Sequence, residues 1–92
     1  MKKKPGPEEI LVKLFGSISR ARILMLLLAV PGQSFYQREI MYETGLTLRA
    51  VQRELANLSF LGIVKTQKTQ NRVYYEINSD SPLFKPLQDI FA

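Results

Sequence analysis

Residues 37–61 read QREIMYETGLTLRAVQRELANLSFL and contain the pattern that decides the fold. The segment from Gln37 to Thr44 predicts a helix of about two turns, with Ile40 and Met41 facing inward. Residues 45–47 predict a turn, because glycine adopts a positive φ without steric cost. The stretch therefore begins as a short helix that stops at a tight turn.

The second half of the stretch predicts an amphipathic helix over about residues 48–61, with Thr47 as its N-cap and Gly62 at its C-cap. Large apolar residues recur there at spacings of three and four, the period of a helix with one buried face. These positions are Leu48, Val51, Leu55 and Leu58. Two helices joined by a three-residue turn form a helix-turn-helix.

Two β-rich runs follow this helix, Ile63–Lys68 and Val73–Asn78, with residues 69–72 between them. Apolar and polar side chains alternate along the second run, as in a half-buried strand. Among the turn residues, Asn71 is expected to accept a left-handed backbone best. A helix-turn-helix followed directly by a β-hairpin is the winged-helix arrangement.

The rest of the chain completes a mainly helical α+β domain of predicted order α-α-β-α-α-β-β-α. Residues 1–6 are expected to be a flexible basic tail, with a basic arm that touches phosphate as the alternative, and residues 7–92 one domain. Four further elements are expected: a helix from Pro7 to Gly16, a core helix capped by Ser17 or Ser19 that runs to about Val30, a short strand at 34–36, and a last helix from Asp80 to about Phe91.

Composition limits the chemistry that the chain can perform. The 92 residues include no cysteine and no histidine, which excludes disulfides and thiolate metal sites and removes the commonest general base. The acidic residues are scattered, and no phosphate-binding glycine loop, nucleophile elbow or metal-ligand spacing is present. We predict a protein that is not an enzyme and needs no metal or cofactor.

The charge predicts a polyanionic partner. The net charge is +5 and the pI about 9.8. No apolar run approaches the roughly 20 residues that span a bilayer, so we expect a soluble, cytoplasmic protein without a membrane partner.

The helix at 48–61 has the features of a DNA recognition helix. Arg49 and Arg53 lie opposite its apolar stripe, with Gln52 at the margin. Arginine forms bidentate hydrogen bonds with guanine, and glutamine with adenine. Thr47 is placed to contact a phosphate from the N-terminus. An ordinary solvated helix face remains the alternative.

The hairpin turn and the helix before the recognition helix add candidate DNA contacts. The wing, at about residues 68–72, is predicted to touch backbone phosphates or the minor groove. Gln37 and Arg38 are placed to touch phosphate from the preceding helix. The wing candidates are Lys68, Gln70, Asn71 and Arg72, and a plain solvated turn is the alternative reading.

Four aromatic residues allow a proposal of base stacking on single-stranded nucleic acid. They are Phe35, Tyr36, Tyr74 and Tyr75. We expect them to pack in the core instead, because aromatic side chains at strand positions of so small a domain usually face inward.

The ordered set of short motifs resembles ArsR-type winged-helix transcription regulators over roughly residues 10–91. Within that group it is most similar to the short winged-helix regulators found beside or fused to nucleotidyltransferase domains. The motifs are Leu14-Phe15-Gly16-Ser17, Arg20, Arg22-Ile23-Leu24, Leu26-Leu27-Leu28, Phe35-Tyr36-x-Arg38-Glu39-Ile40, Thr44-Gly45-Leu46, Ala50-Val51-Gln52-Arg53-Glu54-Leu55, Leu61-Gly62-Ile63-Val64 and Asn71-Arg72-Val73-Tyr74-Tyr75.

The resemblance implies a symmetric dimer built from the first and last helices, with DNA contacts on Thr47, Arg49, Gln52 and Arg53 and, in the wing, on Arg72 and its neighbours. The terminal apolar residues either form that interface or finish the core of the monomer: Ile10, Leu14, Leu83, Leu87 and Phe91. The chain departs from the family in lacking metal-sensing cysteine and histidine, in Met41 where alanine is usual, and in Gln70 where the wing often has glycine.

Together these patterns predict a dimeric, sequence-specific regulator of transcription that binds double-stranded DNA. The alternative is a winged-helix module that binds a protein instead of DNA. An effector or a protein partner is compatible with either reading, and the sequence identifies neither. The charged set Arg49, Arg53 and Arg72 favours DNA, because protein-docking surfaces more often present apolar or aromatic anchors.

Overall fold

In the part of the chain that the structure describes, four helices and a β-hairpin follow one another in the predicted order. The computed structural model describes residues 6, 9, 12, 13 and 15–91. The elements are α1 (Ile18–Ala29), α2 (Gln37–Thr44), α3 (Leu48–Phe60), β1 (Val64–Thr69), β2 (Arg72–Ile77) and α4 (Phe84–Phe91). The predicted α+β class is confirmed.

The predicted first helix is described only at some of its positions. Glu9, Val12, Lys13 and Phe15 are helical, and Val12 and Phe15 pack against the core. The predicted flexible tail lies outside the described residues except for Gly6.

Helix α1 occupies the centre of the core. Its second half is apolar on all sides and largely buried, although Met25 and Leu26 are half-buried and Ala29 is exposed. Its buried residues are Ala21, Ile23, Leu24, Leu27 and Leu28. The Ser17 hydroxyl accepts the Arg20 backbone N–H at 3.2 Å, so Ser17 rather than Ser19 caps the helix.

Helices α2 and α3 form the expected helix-turn-helix. Gly45 ends α2 with φ 73°, and its N–H donates to the Met41 carbonyl at 2.9 Å. The Thr47 hydroxyl accepts the Ala50 N–H at 3.2 Å and begins α3. Helix α3 ends at Phe60, one residue before the predicted end.

The predicted apolar stripe of α3 is correct except at its first position. Val51, Leu55 and Leu58 are buried, whereas Leu48 is 39% exposed. Leu48 is the first residue of the helix. The inward face also holds Glu54, which is only 2% exposed and was not predicted to be buried.

The hairpin is antiparallel and is fixed to the segment before α2. Its strands pair from Val64↔Ile77 to Thr69↔Arg72, each strand shifted by one residue from its predicted range. The short strand expected at 34–36 is a single bridge, in which Phe35 and Tyr75 exchange both backbone hydrogen bonds at 2.8 Å. This bridge sets the position of the hairpin relative to the helix-turn-helix.

Helix α4 begins later than predicted, at Phe84 instead of Asp80. The intervening residues form turns in which Ser81 accepts the Leu83 N–H on its hydroxyl and the Phe84 N–H on its carbonyl. These local side-chain and backbone bonds compete with helix formation, which explains the later start.

The left-handed residue of the hairpin turn is Gln70, with φ 51°, and not Asn71 as predicted. The register leaves these two residues as the whole loop. A side chain with a Cβ is strained at positive φ, so the wing turn carries strain at Gln70.

Gln70→Gly is therefore expected to give a more stable protein than the matched variant Asn71→Gly, by about 1 kcal/mol. Both variants add the same flexibility to the unfolded chain, so their difference isolates the strain. Urea denaturation measures it. Equal stability of the two variants would show that Gln70 is not strained.

Candidate nucleic-acid interface

Helix α3 presents one charged face to solvent. Arg49, Gln52 and Arg53 are exposed, while the opposite face contributes to the core. Neither Arg49 nor Arg53 forms an ion pair or hydrogen bond within the described part of the chain. Their guanidinium groups are thus available to a ligand.

A partly buried ion pair, in which the Glu54 side chain is 3% and the Arg20 side chain 24% exposed, joins α3 to α1 and was not predicted from the sequence. The Glu54 carboxylate accepts hydrogen bonds from Arg20 Nε at 3.1 and 3.3 Å and from Nη2 at 3.0 Å. The available signal was the position of Glu54, three residues after Val51 on the inward face of the helix. The pair adds a directional, charge-assisted contact between α3 and α1 beside the buried apolar stripe.

A chain of amide and hydroxyl groups connects α3 to β2 through Gln37. Gln52 Nε2 donates to Gln37 Oε1 at 3.4 Å, and Gln37 Nε2 donates to the Tyr75 hydroxyl at 3.1 Å. The predicted phosphate contact Gln37 is therefore engaged inside the protein. Its neighbour Arg38 is exposed.

The wing residues Lys68, Gln70 and Asn71 are exposed, as expected for a turn that reaches a ligand. Arg72 is exposed too, but its side chain is held in place. Its Nη1 donates to the Tyr36 hydroxyl at 2.6 Å, and its guanidinium carbon lies 4.9 Å from the centre of the Tyr36 ring. Arg72 thus ties the wing to the segment before α2.

The prediction that the aromatic residues pack in the core is correct for half of them. Phe35 is buried and Tyr75 packs against the core. Tyr36 and Tyr74 are half-buried and instead pack against each other, with ring planes tilted by 35°, ring centres 4.5 Å apart and hydroxyl oxygens 2.6 Å apart. Arg72 and Tyr74 are two positions apart in β2 and therefore share one face of the strand. Their spacing was the sequence signal that both side chains could contact the same residue, which is Tyr36.

These two tyrosines have different acidities because they share a hydrogen bond. The Tyr74 hydroxyl, together with Arg72, stabilises the Tyr36 phenolate and lowers the pKa of Tyr36. The pKa of Tyr74 is raised, chiefly by the same bond to Tyr36. Tyr36 is the member of the pair that loses its proton first.

Alkaline titration is expected to show Tyr36 ionising before Tyr74, because deprotonated Tyr36 accepts hydrogen bonds from both neighbours. Tyr74→Phe removes the larger cause and should raise the pKa of Tyr36, and Arg72→Gln should raise it too. The ring-carbon NMR signals of each tyrosine measure this order. Ionisation of Tyr74 first would contradict the hydrogen-bond arrangement.

The described residues contain no group of three or more histidine, cysteine, aspartate or glutamate side chains placed to hold a metal ion. Over the same residues, none of the helices is long and apolar enough to cross a membrane.

Comparison with solved structures finds several with the same arrangement of helices and hairpin. Reduced HlyU from Vibrio cholerae N16961 superposes with a TM-score of 0.66 and 24% identity, over 91% of this chain and 83% of that one. The homodimeric winged helix-turn-helix DNA-binding domain (fragment 1–100) of Mb0332 from Mycobacterium bovis, a possible ArsR-family transcriptional regulator, gives 0.65 and 24%, over 98% and 89% of the two chains.

The chain has a winged helix-turn-helix fold. A possible transcriptional regulator from Methanosarcina mazei Go1 superposes on this winged helix with a TM-score of 0.70 at 16% identity, over 90% of this chain and 74% of that one. No protein-family model matches the sequence, and none of the curated proteins compared with it has a significantly similar sequence.

Proposed function

We propose that this winged helix binds double-stranded DNA sequence-specifically and regulates transcription. In this proposal α3 enters the major groove, and the wing at residues 68–72 lies on the backbone or in the minor groove. One observation carries the proposal. Arg49, Gln52 and Arg53 project together from α3, whose other face is anchored in the core.

The charge distribution of α3 supports this function. Glu54 is the only acidic residue in the helix, and it is buried against Arg20. The solvent face therefore presents the positive charge of Arg49 and Arg53 without a neighbouring carboxylate on the same helix. Such a surface attracts phosphate and is suited to guanine edges.

The remaining predicted contacts stay part of the proposal. Thr47 lies exposed at the start of α3, although its hydroxyl already caps the helix. The others are proposed to contact the sugar-phosphate backbone from α2 and the wing. They are Gln37, Arg38, Lys68, Gln70, Asn71 and Arg72.

We further propose that the protein acts as a homodimer through its terminal segments. Leu83 is 46% exposed just before α4. The Mb0332 domain, which has a similar fold, is homodimeric. Leu87 is buried and Phe91 packs against the core, so these two residues of the predicted interface already belong to the core of the monomer. Ile10 and Leu14 lie outside the described residues.

Docking of a protein partner is a second candidate function. Phe60 is 90% exposed and Leu61 53% exposed at the end of α3. Aromatic side chains such as Phe60 are enriched in protein interfaces, and Leu61 extends the exposed apolar surface beside it. This observation favours a partner protein beside the DNA-binding face.

Fluorescence anisotropy of a labelled random-sequence duplex tests the DNA-binding function. With about five phosphate contacts, affinity should fall about 500-fold between about 50 and 200 mM salt, because phosphate neutralisation releases counterions. Absence of duplex binding at the lowest salt would overturn the proposal and leave protein docking as the function to test.

A further inference from the structure

An open cleft of about 440 Å³ lies between the start of α2 and the start of β2. Its walls combine two guanidinium groups with tyrosine and amide side chains, and none of the lining residues carries a carboxylate. The lining residues are Tyr36, Gln37, Arg38, Arg72, Val73 and Tyr75. We call it the Arg38–Arg72 cleft; its charge suits an anion.

Most hydrogen-bond donors of the two guanidinium groups are unused. Arg38 forms no hydrogen bond or ion pair within the described residues. Arg72 gives one N–H to the Tyr36 hydroxyl. Each guanidinium carries five N–H donors and no acceptor, and both side chains are exposed, so most of these donors face solvent and are open to a ligand.

Tyr75 contributes a further donor. Its hydroxyl oxygen accepts the Gln37 side-chain N–H at 3.1 Å, and among the described residues its own proton has no acceptor. The Tyr75 ring is half-buried and packs against the core, which restricts where this hydroxyl lies.

We infer that the Arg38–Arg72 cleft binds the phosphate group of a phosphate ester. Phosphate offers several anionic oxygens, and guanidinium groups match them with paired, charge-assisted hydrogen bonds. Arg38, Arg72 and the Tyr75 hydroxyl are the donors. Tyr36 is a positioning residue, because it holds the Arg72 side chain by its hydroxyl and by its ring.

Two sources can supply this phosphate: the backbone of duplex DNA or a phosphorylated small molecule. The first source rests on the proposed function. Gln37 lines the cleft and also accepts the Gln52 amide of α3, so a backbone phosphate held here lies next to the recognition face. A small phosphate ester in the same place would compete with DNA and thereby control its binding.

Inorganic phosphate tests the cleft without DNA. The labelled protein is titrated with phosphate at constant ionic strength while the arginine Nε–H NMR signals are followed. The Arg38 and Arg72 signals should shift along a saturable curve, and the signal of Arg20, which is paired with Glu54, should not. Arg38→Gln should weaken phosphate binding about tenfold, whereas Lys85→Gln, which removes one positive charge from α4, should leave it unchanged. Absence of saturation, or equal shifts at every exposed arginine, would overturn the inference.

A duplex competition experiment identifies the source. If the phosphate belongs to DNA, inorganic phosphate weakens duplex binding by the wild type but not by Arg38→Gln. If it belongs to a small molecule alone, the wild type and Arg38→Gln bind duplex equally well while phosphate still occupies the cleft. Phosphate binding without any duplex binding contradicts only the proposed function. Duplex binding without a saturable phosphate signal at Arg38 and Arg72 overturns only the inference that the cleft binds phosphate.

Discussion

Arg20→Met is expected to lower the free energy of unfolding by about 3–5 kcal/mol, since it leaves the buried Glu54 carboxylate without its partner. Glu54 is 2% exposed, so water does not replace the lost hydrogen bonds. Glu54→Leu should cost less, because the Arg20 side chain is 24% exposed and reaches solvent when unpaired. Urea denaturation of both variants measures this asymmetry.

The double variant Arg20→Met/Glu54→Leu separates the ion pair from simple loss of packing. Replacing both charges by apolar groups removes the uncompensated charge, so its stability should exceed that of Arg20→Met by several kcal/mol and approach the wild type. If Arg20→Met fails to fold, Arg20→Lys replaces it in the comparison. The stability of Arg20→Lys should lie between those of Arg20→Met and the wild type, because lysine keeps the positive charge but cannot form the paired hydrogen bonds. Additive losses in the double variant would show that the two side chains are not coupled.

Arg49→Ala/Arg53→Ala is expected to lower the affinity for random-sequence duplex by about 100-fold at low salt. Both side chains are exposed on the recognition face and lack partners among the described residues. The slope of log affinity against log salt concentration should also become shallower by about one for each phosphate contact that is lost. Anisotropy titrations at several salt concentrations measure both effects.

Lys65→Ala/Lys85→Ala is the matched control. It also removes two positive charges, but takes them from β1 and α4 and leaves the recognition face intact. Lys85 contributes only an exposed pair with Asp89, which adds little stability. We expect the control to lose about threefold in affinity at most, and both double variants to keep their stability within about 0.5 kcal/mol. Equal losses of affinity would mean that net charge, not the face of α3, determines binding.

The spacing of apolar residues along the sequence predicted most of the fold, because it indicates which face of each helix or strand is buried. Val51, Leu55 and Leu58 identified α3, and glycine chemistry at Gly45 located the turn before it. The order of elements then followed from the sequence. Element ends were less accurate, since the start of α4 depends on hydrogen bonds of Ser81 that no period records.

The candidate site was only partly predictable from the sequence. The outward face of α3 follows from local periodicity, whereas the contacts of Arg72 and Tyr36 join residues 36 positions apart. Glu54 was missed for a similar reason, because its partner Arg20 is 34 positions away. The strained residue of the wing turn is set by the strand register, which leaves Gln70 in the left-handed position.

Mapping a duplex onto the protein by NMR tests the central claim most directly. Labelled protein is titrated with a random-sequence duplex, and the backbone and side-chain signals of all elements are followed. The account predicts the largest changes at Arg49, Gln52 and Arg53, with further changes in the wing at residues 68–72. Changes concentrated at Phe60 and Leu61, or no changes at low salt, would contradict the claim that α3 is the DNA-reading helix.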